Sequence, residues 1–211
     1  MALCFPVPEG LRSYYNKEVF FVQKIAKSFS DSAAEFKNVR SLTMGAMLIA
    51  IYAMSYSPVI GRIAIIPGVI EIQKLALIVI AASAMMFGPV FTGTVAVIGD
   101  LMGTLLFYGG SFFFGYTFSW FLQGIVFGLF FYKLKVSLPR ITLCMLFNTC
   151  VINLLLTTKW ESMMGFGTFQ ALFAKRLVFN IIMYPVNIII LFIALRAILA
   201  LCKKAGYNIA R

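Results

Sequence analysis

Long apolar stretches dominate this chain, at about 41–57, 72–87, 89–107, 117–132, 139–157 and 177–201, most near the roughly 20 residues that cross about 30 Å of hydrocarbon. Charged residues and Gly or Pro turn signals separate them. A backbone inside lipid must satisfy its own N–H and C=O groups, and a helix does so within one segment. The expected fold is therefore an all-α membrane protein, a bundle of six transmembrane helices. Composition agrees, because 62% apolar and 12% charged residues leave too little polar surface for a water-facing globule of 211 residues. The length accommodates one membrane domain, 39–204, and no further large soluble one.

Residues 1–38 mix aromatic and basic side chains, which suits an N-terminal amphipathic helix lying on the cytoplasmic membrane surface. They lack the order of a cleavable signal, so the segment is expected to stay attached. Residues 205–211 form a short cytoplasmic tail. Orientation follows from the basic side chains. Arg12, Lys17, Lys24, Lys27, Lys37 and Arg40 precede the first span, Lys133, Lys135 and Arg140 lie between the fourth and fifth, and Arg196, Lys203, Lys204 and Arg211 close the chain. With six spans all of these share one side, and the positive-inside rule places both termini in the cytoplasm. The remaining basic residues, Arg62, Lys74, Lys159, Lys175 and Arg176, fall at the outer ends, where orientation gives no reason for them. Local pairing with Glu71 and Glu161 would account for some; together they make a basic outer vestibule suited to an anionic ligand.

The chain contains no histidine, which removes the commonest imidazole base and His-based zinc sites. Cys4, Cys144, Cys150 and Cys202 have no C-x-x-C spacing and read as small packing residues. No catalytic group, resident cofactor or metal is expected. The formal charge of +11 is carried beside apolar runs rather than in one aromatic-interleaved stripe, which argues against nucleic acid.

Several local patterns stand out. Phe87-Gly88-Pro89 reads as a tight hairpin between the second and third spans. Gly99-Asp100-Leu101-Met102-Gly103 sets a carboxylate inside the third span, where a charge commonly faces the interior or a wet cavity. Asp100 either pairs structurally with Lys74 or faces a ligand. Tyr108 to Tyr116 combines Gly109, Gly110 and Gly115 with aromatic rings, which serves as an interfacial anchor or as a lid whose Phe112, Phe113 or Phe114 covers a flat ring. Trp160 stands between Lys159 and Glu161, ahead of a Gly165-Phe166-Gly167 turn. In the first span, Ala46 and Ala50 form a small-x-x-x-small pair that either packs inside the bundle or docks a partner helix.

Four runs together resemble one family: EFKNVRSLTMGAMLIAIY at 35–52, MFGPVFTGTVAVIGDLMGTLLFYGGSFFFGYTFS at 86–119, NLLLTTKW at 153–160 and FAKRLVFNIIMYPVNIIIL at 173–191. They resemble the substrate-binding (S) subunits of energy-coupling factor (ECF) vitamin transporters, folate-type. The resemblance implies a six-helix S component that captures folate. It also implies a plasma-membrane importer completed by a transmembrane coupling subunit (EcfT-like), docked through Ala46 and Ala50, and two cytoplasmic ATPases (EcfA-like). Candidate ligand contacts are Phe112, Phe114 and Trp160 for stacking, Arg62, Lys74, Lys159, Lys175 and Arg176 as cations, and Asp100 or Asn153 as a polar partner. Thr157-Thr158-Lys159-Trp160 and Phe173-Ala174-Lys175-Arg176 depart from the family's Asn-Thr-x-Trp and Pro-Ala-Arg runs, so another vitamin stays open. Two rivals from other classes are a stand-alone secondary transporter, for which the halves show no internal repeat, and an intramembrane enzyme, for which no reactive constellation is present. No G-x-x-x-x-G-K-[ST] loop occurs, so ATP hydrolysis is expected in separate subunits.

Overall fold

The computed structural model describes residues 9–57, 73–108, 112–134 and 136–204, with the side chains of 9–21, 73, 74 and 108 outside that description. The described residues are nearly all helical and contain no strand. The N-terminal segment is helix α1, Glu9–Ala34, followed by a 3₁₀ turn, Glu35–Lys37. Next come α2, Val39–Met54, and α3, Gln73–Phe87. Helix α4, Pro89–Gly103, loosens into a π turn, Thr104–Tyr108, and α5 spans Phe114–Phe131. Helix α6, Leu138–Phe147, widens into a π-helical segment, Asn148–Thr157, and regains α geometry in α7, Thr158–Met163. The last helix, α8, is Phe169–Lys204.

Among the described residues, four stretches are apolar and long enough to cross a membrane: Pro89–Phe107, Phe114–Phe131, Leu138–Met163 and Phe169–Lys204. The first two expected spans are apolar helices of shorter length, Val39–Met54 and Leu75–Phe87. At 16 residues, α2 rises about 24 Å, less than a full hydrocarbon core. Residues 58–72, with Arg62 and Glu71, lie outside the described residues, as do Gly109, Gly110, Lys135 and the tail.

The hairpin expected at Phe87-Gly88-Pro89 is present, and its chemistry is legible. Gly88 has φ +83°, a region that penalises any Cβ, and Pro89 occupies the first turn of α4, where its missing N–H is not needed. The free N–H of Phe91 in that turn is capped from another helix, donating to Ser32 Oγ of α1 at 3.0 Å. Lys133, just after α5, donates to Asp31 at 3.0 Å. The C-terminal end of α1 is thereby fastened to the α3–α4 turn and the α5–α6 loop, two features at the same end of the bundle.

Helices α4 and α5 approach most closely through small residues. A Cβ added to Gly124 would lie 2.8 Å from both N and Cα of Gly93, and one on Gly128 would overlap the Pro89 backbone. Lipid tails are as apolar as Leu, so apolar burial alone does not drive such pairs together; close van der Waals contact does. Around this seam the core gathers Tyr52, Ile80, Met85, Phe127, Phe131, Ile141, Met145, Leu191 and Leu195, all buried. Helix α8 buries only Met183, Leu191 and Leu195 and turns Ile181, Ile182, Ile189 and Ile193 outward, the surface expected to meet lipid. Tyr184 ties it to α6 by donating to the carbonyl of Thr142 at 2.8 Å.

Candidate functional site

A pocket of about 420 Å³ opens at the end of the bundle away from Gly88. The topology fixes that location. Asp100 stands 11 residues beyond Pro89, about 16 Å along α4, and the other walls come from the first half of α5 and from the π segment with α7. Helix α5 supplies Tyr116, Ser119, Trp120 and Gln123, a stripe at helical spacing. The π segment supplies Ile152, Asn153 and Thr157, α7 supplies Glu161, and α8 supplies Arg176. Phe112, Phe113, Met164 and Phe166 close the remaining side, and Tyr56 and Thr104 stand beside Asp100. Both π-helical stretches therefore border the pocket, and such distortions often mark functional positions.

Asp100 is only 4% exposed. The hydroxyls of Tyr56 and Thr117 each donate to one of its oxygens at 2.6 Å, within the short range of charge-assisted bonds. The carboxylate thus ties the end of α2 to α4 and α5 while presenting its remaining lone pairs to the pocket. Lys74 begins α3, but its side chain lies outside the described residues, so the expected Asp100–Lys74 pairing does too. Tyr52 packs behind this group, with its ring 5.9 Å from those of Tyr56 and Trp120 and perpendicular to the latter.

Arg176 is pinned from two directions. Its Nε donates to Glu161 Oε2 at 3.0 Å, its Nη2 to Glu161 Oε1, and its Nη1 to the Asn153 carbonyl at 3.3 Å. The two-pronged contact uses the fork geometry that suits guanidinium to carboxylate. Local pairing with Glu161, anticipated as one explanation of the outer cations, accounts for Arg176. The pair is about a quarter exposed and opens onto the pocket.

Trp160 does not line the pocket but supports it. Its indole N–H donates to Ser119 Oγ at 3.1 Å, and its ring lies 5.9 Å from Phe113, a lining residue. Gly115 makes this packing feasible, since a Cβ there would strike both rings. Of the other candidates, Asp100, Phe112, Asn153 and Arg176 line the pocket, whereas Phe114, Lys159 and Lys175 are exposed outside it. Arg62 lies outside the described residues. The α5 stripe was missed, although Ser119 and Gln123 interrupt an apolar run at positions sharing a face with Tyr116 and Trp120. That periodicity was the available signal. Tyr56 and Thr104 carried no comparable one.

Comparisons with known proteins bear on this geometry. No protein-family profile matches the chain. It is 36% identical over 113 residues to the folate transporter FolT of Clostridium novyi, covering 54% of this chain and 66% of that relative's length. It is 25% identical over 157 residues to the folate transporter FolT of Leuconostoc mesenteroides, covering 72% of this chain and 82% of the relative. A solved crystal structure of FolT bound with folic acid matches with a TM-score of 0.63 and 28% identity, across 74% of this chain and 92% of the other. The chain belongs to the FolT-like family. The resemblance read from its motifs and the helical architecture agree on that point. Ala46 and Ala50 of this FolT-like chain are exposed on α2, whereas Gly45 and Ala53 of the same helix are buried. Internal packing is therefore done by the second pair, with Gly45 meeting Phe91.

Proposed function

We propose that this FolT-like chain captures folate in the pocket and serves as the S component of an ECF-type importer. The observation that carries the proposal is the lining itself. The rings of Phe112, Phe113, Tyr116, Trp120 and Phe166 surround Asp100, Gln123 and Asn153, in a chain similar to proteins named folate transporters. Folate presents a flat pterin with amide-like donors and acceptors, an aromatic linker and glutamate carboxylates. Stacking surfaces with a few placed polar groups suit the rings, and the volume falls in the usual range for small-molecule sites. In this reading Phe112 stacks on the ligand, Trp160 holds Phe113 against it, and Asp100 and Asn153 are polar partners. Lys159 and Lys175, exposed on elements that form the rim, are cations near the mouth, Arg62 and Lys74 remain candidate cations whose side chains lie outside the described structure, and Phe114 belongs to a covering lid.

Import needs energy that this sequence has no phosphate loop to harvest. The proposed partners are an EcfT-like coupling subunit and two EcfA-like ATPases. The outward placement of Ala46 and Ala50 supports a docking face, because small residues let another helix approach closely in lipid. In this reading the chain is a plasma-membrane protein of six helices with both termini cytoplasmic and the pocket facing outward; the fastening of α1 at the end opposite the pocket supports the separation of N-terminus and pocket to opposite faces. The test is retention of radiolabelled folic acid by the purified chain in competition with unlabelled vitamins. Folates should displace it, while riboflavin, thiamine, cobalamin and pantothenate should not. Failure to retain folic acid, with retention of another vitamin, would reassign the ligand.

A further inference from the structure

We propose that Glu161 is a resident counter-ion that keeps ligand carboxylates off Arg176, making Arg176 a positioning residue and leaving the pocket interior to the ligand's heterocycle. This rests on the folate reading. Three observations carry it. First, Arg176 already spends its fork: Nε and Nη2 both donate to Glu161, and Nη1 donates to the Asn153 carbonyl. A carboxylate arriving from solvent finds the Nε/Nη2 face taken, and would have to approach the two remaining N–H groups beside the Asn153 carbonyl and the negative charge of Glu161. Second, the charged groups in the described lining are Asp100 and Glu161 against Arg176, so carboxylates outnumber cations there. A second anion inside would be repelled at short range in a medium less screening than water. Third, the contacts of Arg176 join two pocket walls, since Arg176 lies on α8 while Asn153 and Glu161 lie two turns apart on the continuous helix formed by the π segment and α7. The guanidinium is therefore placed to hold those walls in register.

The consequence for the ligand is directional. Acceptors such as the free lone pairs of Asp100 suit a heterocycle edge carrying N–H donors, and the neighbouring rings suit its faces. The glutamate carboxylates stay at the mouth, near the exposed Lys159 and Lys175.

The test measures equilibrium binding to the full chain in detergent with three probes: folic acid, pteroic acid, which lacks the glutamate, and p-aminobenzoylglutamate, which lacks the pterin. Wild-type protein should bind pteroic acid within about tenfold of folic acid and the tail fragment at least a hundredfold more weakly. Arg176→Gln should weaken folic and pteroic acids by the same factor within about threefold, because it loosens the walls rather than losing a contact to the tail. Glu161→Gln should raise affinity for the tail fragment at least tenfold by exposing the fork, a gain that a purely structural ion pair would not give. A loss in Arg176→Gln confined to folic acid would overturn the proposal, as would no gain in Glu161→Gln. The wild-type comparison stands even if either variant fails to fold, and a tail fragment binding as tightly as pteroic acid would also overturn it. Wild-type protein that binds none of the three would instead sink the folate reading.

Discussion

Replacing Thr117 with Val removes one of the two hydroxyls that hold the buried carboxylate of Asp100 while nearly conserving side-chain volume. The Thr117 bond is 2.6 Å long and its acceptor is 4% exposed, so water is poorly placed to substitute. A hydrogen bond to a charged group contributes about 1.5–3 kcal/mol, and Tyr56 remains as a donor to the other oxygen. The expected cost is therefore about 2 kcal/mol, which for a chain of 211 residues lowers the midpoint of unfolding by roughly 4–8 °C. The charge is the cause, and a double-mutant cycle isolates it. In an Asp100→Asn background the bond from Thr117 is between neutral groups and is expected to contribute only about 1 kcal/mol, so Thr117→Val should cost roughly half as much there. The assay is thermal unfolding of the four proteins in one detergent at one scan rate, because such transitions are often irreversible and rate-dependent. A shift below about 1 °C for Thr117→Val, or equal shifts in the two backgrounds, would refute the assignment of Asp100 as a charged tether between α2, α4 and α5.

Gly128→Ala should cost more than about 2 kcal/mol in the same unfolding assay, since its Cβ overlaps the rigid backbone of Pro89 rather than a movable side chain; unchanged stability would mean that α4 and α5 sit farther apart than described. Ser32→Val should lower stability by about 1 kcal/mol through loss of the cap on Phe91, whereas Asp31→Ala should change it by less than about 0.5 kcal/mol because its partner Lys133 is exposed; equal effects would contradict this division. Bulky substitution of Ala46 and Ala50, both to Trp, should leave folic acid binding by the purified chain within about twofold while abolishing uptake by cells; uptake at wild-type rate would remove α2 as the docking face.

Much of the fold is legible in the chain because lipid simplifies the problem. A solvent that cannot hydrogen-bond leaves helix as the economical solution for each apolar run, so the runs at 89–107, 117–132, 139–157 and 177–201 correspond to the four long helical stretches, although the last helix begins two turns earlier, at Phe169, and the third stretch runs on to Met163. The Gly88-Pro89 hairpin was legible because φ +83° and a first-turn proline are local requirements written in residue type. The π-helical widening from Asn148 to Thr157 was not, since it arises from how that segment meets its neighbours and leaves no periodic signature. The seam at Gly93, Gly124 and Gly128 was not read from the sequence, because which small residues meet across two helices depends on tertiary arrangement.

The site divides along the same line. Asp100 declared itself because a carboxylate within an apolar run needs a reason, and the structure gives it two hydroxyl donors and a pocket wall. Arg176 declared itself as an outer cation and Glu161 as a candidate partner, but the sequence did not say which of the outer cations would take that carboxylate; the structure gives it to Arg176. Trp160 was a stacking candidate because its ring stands among charges and matches the family's run; in the structure it donates to Ser119 and packs on Phe113, behind the pocket lining. In each case residue chemistry identified the position, and packing decided what the side chain faces.

The most direct measurement is a calorimetric titration of folic acid into the purified chain, beside a variant in which Gln123→Trp fills the pocket from α5 and whose helix content is checked by circular dichroism. Saturable binding of one folic acid per wild-type chain is expected, with at least a hundredfold weaker binding to the folded variant. No saturable binding to the wild type, or equal affinity in the two proteins, would contradict it.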